Sequence, residues 1–302
     1  IEMKKINLYL ITLCLLGCMA CTDEDKVDNV GTLSEDYVLP QGKSPADDLI
    51  VACYNSYKSY ILYEYSHPDF MYGLSENNTN YVYEKADPQC MDVVLDFLED
   101  IWFDLYLPEF HVEYMPYKVM VVKSMETTYG TRQFATMGKN GQSFYVNDCS
   151  EELKNLSAEE KRTYKNNLQL CLWDYWRTNG TLEFPKEFYE VSDYTRAAKD
   201  YDPENPDDPD FALARGFMPQ WYAYQSRYIF DWCLYVNYQT KLVDSGADLQ
   251  YFMYGMITRT AEEWVDYLAK YPLIKRKYDI LRNWFLDKYK VDLKKVGEVT
   301  YN

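Results

Sequence analysis

The sequence has little histidine and none of the short motifs that mark common catalytic sites. His67 and His111 are its only histidines among 302 residues. Neither has a second ligand at the spacing of a zinc motif, so we expect surface or turn residues rather than metal ligands. A phosphate loop, a dinucleotide fingerprint and a GxSxG elbow are all missing. A triad or a Cys-His pair that uses one of these histidines stays open, because its members can be distant in sequence.

Paired cysteine motifs are also missing from the main part of the chain. Of eight cysteines, three lie near the N-terminus (Cys14, Cys18 and Cys21), and the other five are widely spaced: Cys53, Cys90, Cys149, Cys171 and Cys233. An odd number cannot pair completely, and the CxxC grouping of a zinc ribbon does not occur among them. We therefore expect these five to act mainly as small buried hydrophobic residues.

Positive charge is scarce relative to negative charge. The chain has 31 Lys and Arg against 48 Asp and Glu, a net charge of −17. This balance repels phosphate backbones, so nucleic acid is not an expected partner. Tyrosine is abundant, with 32 residues. Its ring and hydroxyl suit either a saccharide- or peptide-binding surface or a tyrosine-rich core and helix surface.

The only long apolar stretch lies at the N-terminus and is too short to cross a bilayer. Lys4 and Lys5 precede the mostly apolar segment from Asn7 to Leu16, and small residues follow. This order is typical of a secretory signal, whereas a transmembrane helix needs about 20 apolar residues. We expect residues 1–20 to be a signal peptide. Cleavage after Ala20 to leave a soluble protein is the simpler interpretation.

Two cysteines at the end of this segment favour lipidation instead. Cys18 and Cys21 follow Gly17 and Ala20, as in a lipobox. The residues before Cys18 fit that pattern better, but the acidic run Thr22–Asp25 follows Cys21 directly. It resembles the signal by which Bacteroidetes-type lipoproteins reach the outer face of the outer membrane. Cys21 is therefore the expected lipidation site, and an outer-membrane, cell-surface location is expected.

The remainder divides into a tether and one domain. Residues 21–36 are polar and acidic and are expected to act as a tether. No composition break or Gly/Ser linker interrupts residues 37–302, so we expect a single domain.

Helical and extended patterns alternate in the first half of that domain. Ser44-Pro45 and two acidic residues predict a helix over Pro45–Tyr65, and a second helix is predicted over Met91–Leu105. The Val- and Met-rich segment Tyr117–Met125 predicts a buried strand. Alternation over Arg132–Val146, around Asn140-Gly141, predicts a tight hairpin.

The second half is expected to be mainly helical. Ser157 and Glu160 form a capping box for a helix that reaches about Arg177. Further helices are predicted over Tyr224–Val243, Thr260–Lys270 and Leu273–Tyr289. The expected fold class is α+β, helix-dominated with a small antiparallel sheet. The loop Asp202–Asp210 crowds carboxylates that could hold Ca²⁺ but suits a solvated turn equally.

The order of these segments resembles the predicted zinc metallohydrolase lipoproteins found beside SusC/SusD-like nutrient importers. The matching stretches cover residues 37–296: Tyr57–Glu64, Pro116–Val122, Phe184-Pro185, Gly216-Phe217, Tyr222-Ala223 and Val291–Leu293. The resemblance implies a zincin-like fold, in which the long helix carries HExxH with two zinc-ligating histidines and a general base.

In this sequence the motif positions are changed. Counting back from Phe184-Pro185 places the motif on Trp173–Arg177, with Trp173 and Arg177 at the histidine positions and Asp174 at the glutamate position. A later acidic pair of the family falls near Tyr228-Ile229. Arginine only donates hydrogen bonds and cannot ligate zinc. The resemblance therefore implies a degenerate member with a possible cleft at Trp173, Asp174 and Arg177, and no metal or cofactor is expected.

The expected function is that of a non-catalytic accessory subunit of a SusC/SusD-like importer that binds or presents a peptide or glycan. Two alternatives stay open at this point. One is a hydrolase with an unrecognised pair of carboxylates, as in glycosidases. The other is a scaffold lipoprotein that binds only its importer. For Trp173 the choice is between stacking on a ligand and filling an emptied cleft, with Arg177 paired to Asp174.

Overall fold

A mixed five-stranded sheet and a set of C-terminal helices enclose one long helix. The computed structural model describes residues 37–74, 81–138, 141–199, 202, 204–205, 207–218, 221–224, 227–230, 239–240 and 242–301. Leu39–Asn302 forms one compact unit. The strands are β1 Tyr60–Leu62, β2 Tyr81–Lys85, β3 Lys118–Thr127, β4 Ala135–Met137, β5 Ser143–Val146, β6 Trp221–Tyr224 and β7 Arg227–Phe230. The helices are α1 Asp47–Tyr57, α2 His67–Tyr72, α3 Met91–Ile101, α4 Pro108–Tyr114, α5 Ala158–Thr178, α6 Ser245–Thr258, α7 Ala261–Lys270, α8 Pro272–Tyr289 and α9 Leu293–Glu298.

Strand β3 is the centre of the sheet. It pairs in parallel with β1 and β5 and antiparallel with β2, and β4 closes the edge antiparallel to β5. The run Val119–Val122 is fully buried, as expected for a strand covered on both faces. The helix-dominated α+β prediction and the strand over Tyr117–Met125 are thus confirmed. The sheet is mixed, however, not purely antiparallel. The connection from β1 to β3 contains helices, and the connection from β3 to β5 contains the edge strand β4, so both neighbours run parallel to β3.

Helix α5 begins where the sequence indicates and lies between the sheet and the C-terminal helices. The Ser157 side chain accepts from the Glu160 N–H, and the Glu160 carboxylate accepts from the Ser157 N–H. The helix contacts β4 on one side, and α3 and α6 elsewhere. Because it is enclosed by several elements, it buries residues on more than one face.

Helices α6 to α9 form the other part of the core. Helix α9 packs against α6 and α8, and α7 packs against α8. A fully buried ion pair joins two of them: Lys277 Nζ of α8 lies 2.5 Å from Asp248 Oδ2 of α6. Burial raises the pKa of Asp248 and the nearby ammonium opposes that shift. Across the described residues, no helix is both long and apolar enough to span a bilayer.

Two helix predictions were wrong in part. The helix predicted over Pro45–Tyr65 ends at Tyr57, because Lys58 adopts a left-handed backbone (φ 59°), and Tyr60–Leu62 pairs with β3 instead. Residues 224 and 227–230, predicted to be helical, belong to the hairpin of β6 and β7. The predicted helices over Met91–Leu105, Thr260–Lys270 and Leu273–Tyr289 are present, the first ending in a 3-10 turn at Phe103–Leu105.

Candidate functional site

The residues at the motif positions implied by the resemblance lie on the last turns of α5, at the border between the interior and the surface. Trp173 is 1% exposed. The side chains of Asp174 and Arg177 are 31% and 19% exposed, respectively. The structure therefore brings these residues together but gives them two environments, one dry and one at the surface.

Trp173 packs within a set of aromatic rings. Its ring centroid lies 5.4 Å from that of Trp176 and 5.1 Å from that of Phe285 on α8, both in edge-to-face geometry. Such pairs add to the free energy gained by burial alone. Because its ring is enclosed, Trp173 offers no face on which a ligand could stack.

The indole N–H of Trp173 starts a buried chain of hydrogen bonds. It donates to the Tyr106 hydroxyl at 2.8 Å, and that hydroxyl donates to Gln169 Oε1. The Gln169 amide in turn donates to the Ile101 carbonyl at 2.9 Å. Burial raises the pKa of Tyr106 far above its ordinary value, so its hydroxyl stays protonated. Each polar group in this series of hydrogen bonds has a partner, so its burial costs little free energy. We call these residues and the neighbouring rings the Trp173 cluster.

Asp174 and Arg177 form a separate polar contact at the edge of this cluster. Arg177 Nη2 lies 2.8 Å from Asp174 Oδ1. Gln250 of α6 donates to the same oxygen at 3.0 Å and to the Tyr254 hydroxyl at 2.8 Å. The arrangement ties the end of α5 to α6 with hydrogen bonds.

These residues do not fit a zinc ion. Zinc needs three or four lone-pair donors, whereas Trp173 and Arg177 present only N–H groups. Asp174 Oδ1 already accepts hydrogen bonds from Arg177 and Gln250. Within the described part of the chain, no group of three or more His, Cys, Asp or Glu residues is arranged to hold a metal. No step of a zinc-dependent reaction can be derived from this geometry.

The space between β4 and α5, which we call the β4–α5 groove, is small. Its volume is about 270 Å³, and its lining includes Met137, Cys171, Asp174 and Tyr175. The Tyr175 hydroxyl lies so close to Gly141 (φ 67°) that a Cβ there would clash with it. Burial raises the pKa of the Cys171 thiol to about 12, so the thiol is protonated and is not a nucleophile at neutral pH.

A larger cavity lies at the other end of α5. Its volume is about 540 Å³, within the range of small-molecule sites. We call it the N-terminal cavity, after the N-terminal end of α5. It is lined by residues of β3, of the segment before β4, of the segment after β5 and of the first turns of α5: Lys123, Arg132, Phe134, Asp148, Ser150, Glu152, Leu153, Leu156, Glu159, Glu160, Thr163 and Tyr164. This cavity was not predicted from the sequence. Its only signal was a mixture of charges around the capping box.

The two histidines have different environments. His111 was predicted to be a surface or turn residue, and this is wrong. It is 2% exposed, its Nε2 lies 2.9 Å from the Phe103 carbonyl oxygen, and burial lowers its pKa. Rings of Tyr57, Phe103 and Tyr106 surround it. His67 begins α2 and stacks on Tyr83.

The other predicted sites are only partly described. Cys18 and Cys21 lie outside the described residues, as do the side chains of Tyr228 and Ile229. In the Asp202–Asp210 loop, Asp208 and Asp210 pair with Lys199 and Arg196. Cys90 and Cys149 are buried as expected, whereas Cys53 and Cys171 are half-buried.

Comparison with known proteins gives one structural likeness. The chain is similar to the crystal structure of a candidate zinc-binding metallo-peptidase from Bacteroides caccae, with 15% identity and a TM-score of 0.45 over 82% of this chain and 86% of that chain. No family model matches the chain, and no curated protein matches it.

Proposed function

We propose that the chain is a non-catalytic, lipid-anchored protein of the bacterial cell surface. In this role it serves as an accessory subunit of a SusC/SusD-like importer and helps to bind or present a peptide or glycan. The lipobox at Cys21 and the acidic residues after it support the anchor. The order of segments shared with zincin-like lipoproteins of such importers supports the partner.

The observation that carries the non-catalytic part of the proposal is the Trp173 cluster. An indole that is 1% exposed occupies the position at which the resemblance places a zinc-ligating histidine. Its N–H is committed to Tyr106 at 2.8 Å. Filling a former cleft with a large ring restores close packing and needs no ligand. Trp173 is part of the core, which supports the absence of a zinc site at this position.

Zinc content tests this part. We expect the purified chain, dialysed against zinc and then against buffer, to retain well under one zinc per molecule. We also expect no peptidase activity that a chelator removes. Asp174→Ala is the matched variant, because it removes the only carboxylate at the motif positions. Stoichiometric zinc that this variant loses would overturn the proposal.

The anchor is tested by two cysteine variants in a bacterial host. Only a cysteine side chain can carry the thioether-linked lipid, and two or more acyl chains give firm attachment. Cys21→Ala should move the protein out of the membrane fraction or leave it unprocessed, whereas Cys18→Ala should not. The reverse result would assign the anchor to Cys18.

The partner is tested by purification from native membranes. Crosslinking followed by affinity capture of the chain should recover both subunits of an importer. Recovery should fall when the chain is released by Cys21→Ala. A membrane-bound chain that repeatedly captures neither subunit would overturn the accessory role.

A further inference from the structure

We infer that the N-terminal cavity binds a small zwitterion with an apolar side group, such as a dipeptide or a large free amino acid. This assignment rests on the proposed function, because it selects a peptide-like ligand over a glycan. It uses none of the residues at the former motif positions.

Charges of both signs line this cavity, and they come from different elements. Lys123 on β3 and Arg132 before β4 supply cations, while Glu152 and Glu159 supply anions from the 3-10 turn Glu151–Asn155 and from α5. A ligand that carries an ammonium and a carboxylate can therefore meet a partner at each end. A neutral sugar could form hydrogen bonds with these groups but has no charges to complement theirs.

Glu159 is the anion that is free to bind an ammonium. Its neighbour Glu160 is committed to the capping box with Ser157, and Asp148 pairs with Arg132. Among the residues that the structure describes, none forms a hydrogen bond or an ion pair with the Glu159 carboxylate. An exposed carboxylate at the mouth of a cavity can reorient towards a ligand at little cost.

Each cation already has an acidic partner, but its own side chain is at least half exposed. Lys123 Nζ lies 2.8 Å from Glu84, and both of these side chains are at least half exposed. Such an exposed ion pair contributes at most about 1 kcal/mol to stability, so a ligand carboxylate can replace Glu84. Arg132 is 55% exposed and Asp148 only 23%, so a ligand carboxylate would share the exposed part of the guanidinium with Asp148. Arginine is also well suited to a carboxylate, because its N–H groups match two oxygens at once.

The floor of the cavity is apolar. Leu153 is 6% exposed and Tyr164 is 2% exposed, and the Phe134 and Tyr164 rings lie 4.8 Å apart. The Tyr164 hydroxyl donates to the Asn147 carbonyl, so this residue presents its ring rather than a free polar group. An apolar side group of the ligand would cover this floor, while its charged ends reach the rim.

The probe is leucyl-leucine, compared by calorimetry with N-acetyl-leucyl-leucine amide and with maltose. We expect the purified chain to bind the free dipeptide and to bind the capped form at least tenfold more weakly. Maltose should not bind in this cavity. Failure of the dipeptide to bind at millimolar concentration, or equal binding of the capped form, would overturn the inference.

Two charge variants place the ligand. Glu159→Gln and Arg132→Gln should each weaken dipeptide binding at least tenfold, whereas Glu187→Gln, the same change at an exposed site on another turn, should not. Equal affinity in all three variants would show that the dipeptide binds elsewhere and would overturn the inference. Binding that follows these expectations without capture of an importer would instead contradict the proposed accessory role alone.

Discussion

The two ends of α5 differ in what their polar residues are used for. At its C-terminal end, Trp173, Tyr106 and Gln169 satisfy one another within a closed core. At its N-terminal end, Glu159 and Arg132 border a cavity of about 540 Å³. A side chain that is already enclosed and hydrogen-bonded has little left with which to bind a ligand. The C-terminal end of α5 is therefore the end less able to bind a ligand.

The same contrast separates stability from function along one helix. Substitutions at the C-terminal end should be felt mainly in the free energy of unfolding, since they open a packed interior. Substitutions of exposed charges at the N-terminal end should leave folding nearly unchanged. Changes in stability and in ligand binding can thus be measured separately.

The largest expected effect is that of Trp173→Ala. It should lower the free energy of unfolding by about 3–5 kcal/mol, because it removes a buried ring and leaves the Tyr106 hydroxyl without its donor. Urea denaturation followed by circular dichroism measures this change. Trp284→Ala is the matched control, since that indole is only partly buried and donates to the Glu183 carbonyl at the surface. Equal losses in the two variants would contradict the packed cluster.

The next effect depends on pH and concerns Lys165, one residue after Tyr164 of the cavity floor. Its Nζ is buried and donates to the carbonyls of Ile257 and Val296, at 3.0 and 2.8 Å. A neutral amine has two N–H groups, enough for both carbonyls. Burial is the main cause that lowers the pKa of Lys165 from 10.5 to about 7.

The sign of the pH dependence follows from this lowered pKa. Between pH 7 and 10.5 the unfolded chain binds a proton at Lys165 that the folded chain does not. This proton uptake favours unfolding, and it weakens as the pH rises towards 10.5. Relative to Lys165→Met, the free energy of unfolding of the wild type should therefore rise by about 2 kcal/mol from pH 7 to pH 9. Paired denaturation curves at the two pH values give this difference, in which the other titrating groups cancel. A constant difference would contradict the lowered pKa.

Sequence patterns predicted the elements whose signals are local. The capping box at Ser157, the strand around Val119 and the hairpin before Val146 depend on neighbouring residues, and all three are present. Helix α6 was not predicted from the sequence. It is buried along nearly all of its length, so its sequence lacks the alternation of apolar and polar faces that marks an amphipathic helix. The strand at Tyr60–Leu62 exists only because distant β3 supplies its partner.

The site was harder to predict than the fold. The sequence left open whether Trp173 stacks on a ligand or fills a cleft, and the packing of Phe285 on α8 against its ring favours filling. The N-terminal cavity joins Lys123 to Glu159 through the folding of the sheet against α5. No spacing along the chain could indicate that these two residues line the same cavity.

A smaller effect is expected at the open end of α5. Ser157→Ala removes the side chain that accepts from the Glu160 N–H and should lower the free energy of unfolding by about 1 kcal/mol. Ser157→Gly should lower the free energy of unfolding by only a few tenths of a kcal/mol, because glycine leaves the N–H groups open to water. Thermal denaturation of the two variants measures the difference. A larger loss for glycine would mean that the backbone, not the cap, determines stability here.

The smallest effect is expected for the pair of Arg177 and Asp174, at the border between the filled cluster and solvent. A double-mutant cycle with Arg177→Met and Asp174→Asn should give a coupling energy of about 0.2–1 kcal/mol, because both side chains are partly exposed and water screens the pair. Gln250 still donates to residue 174 after Arg177 is removed, which limits the loss further. The cycle is measured by urea denaturation at low salt and again at 0.5 M salt, where the coupling should shrink. A coupling of several kcal/mol that salt does not change would place this pair inside the closed core and would contradict its position at the border with solvent.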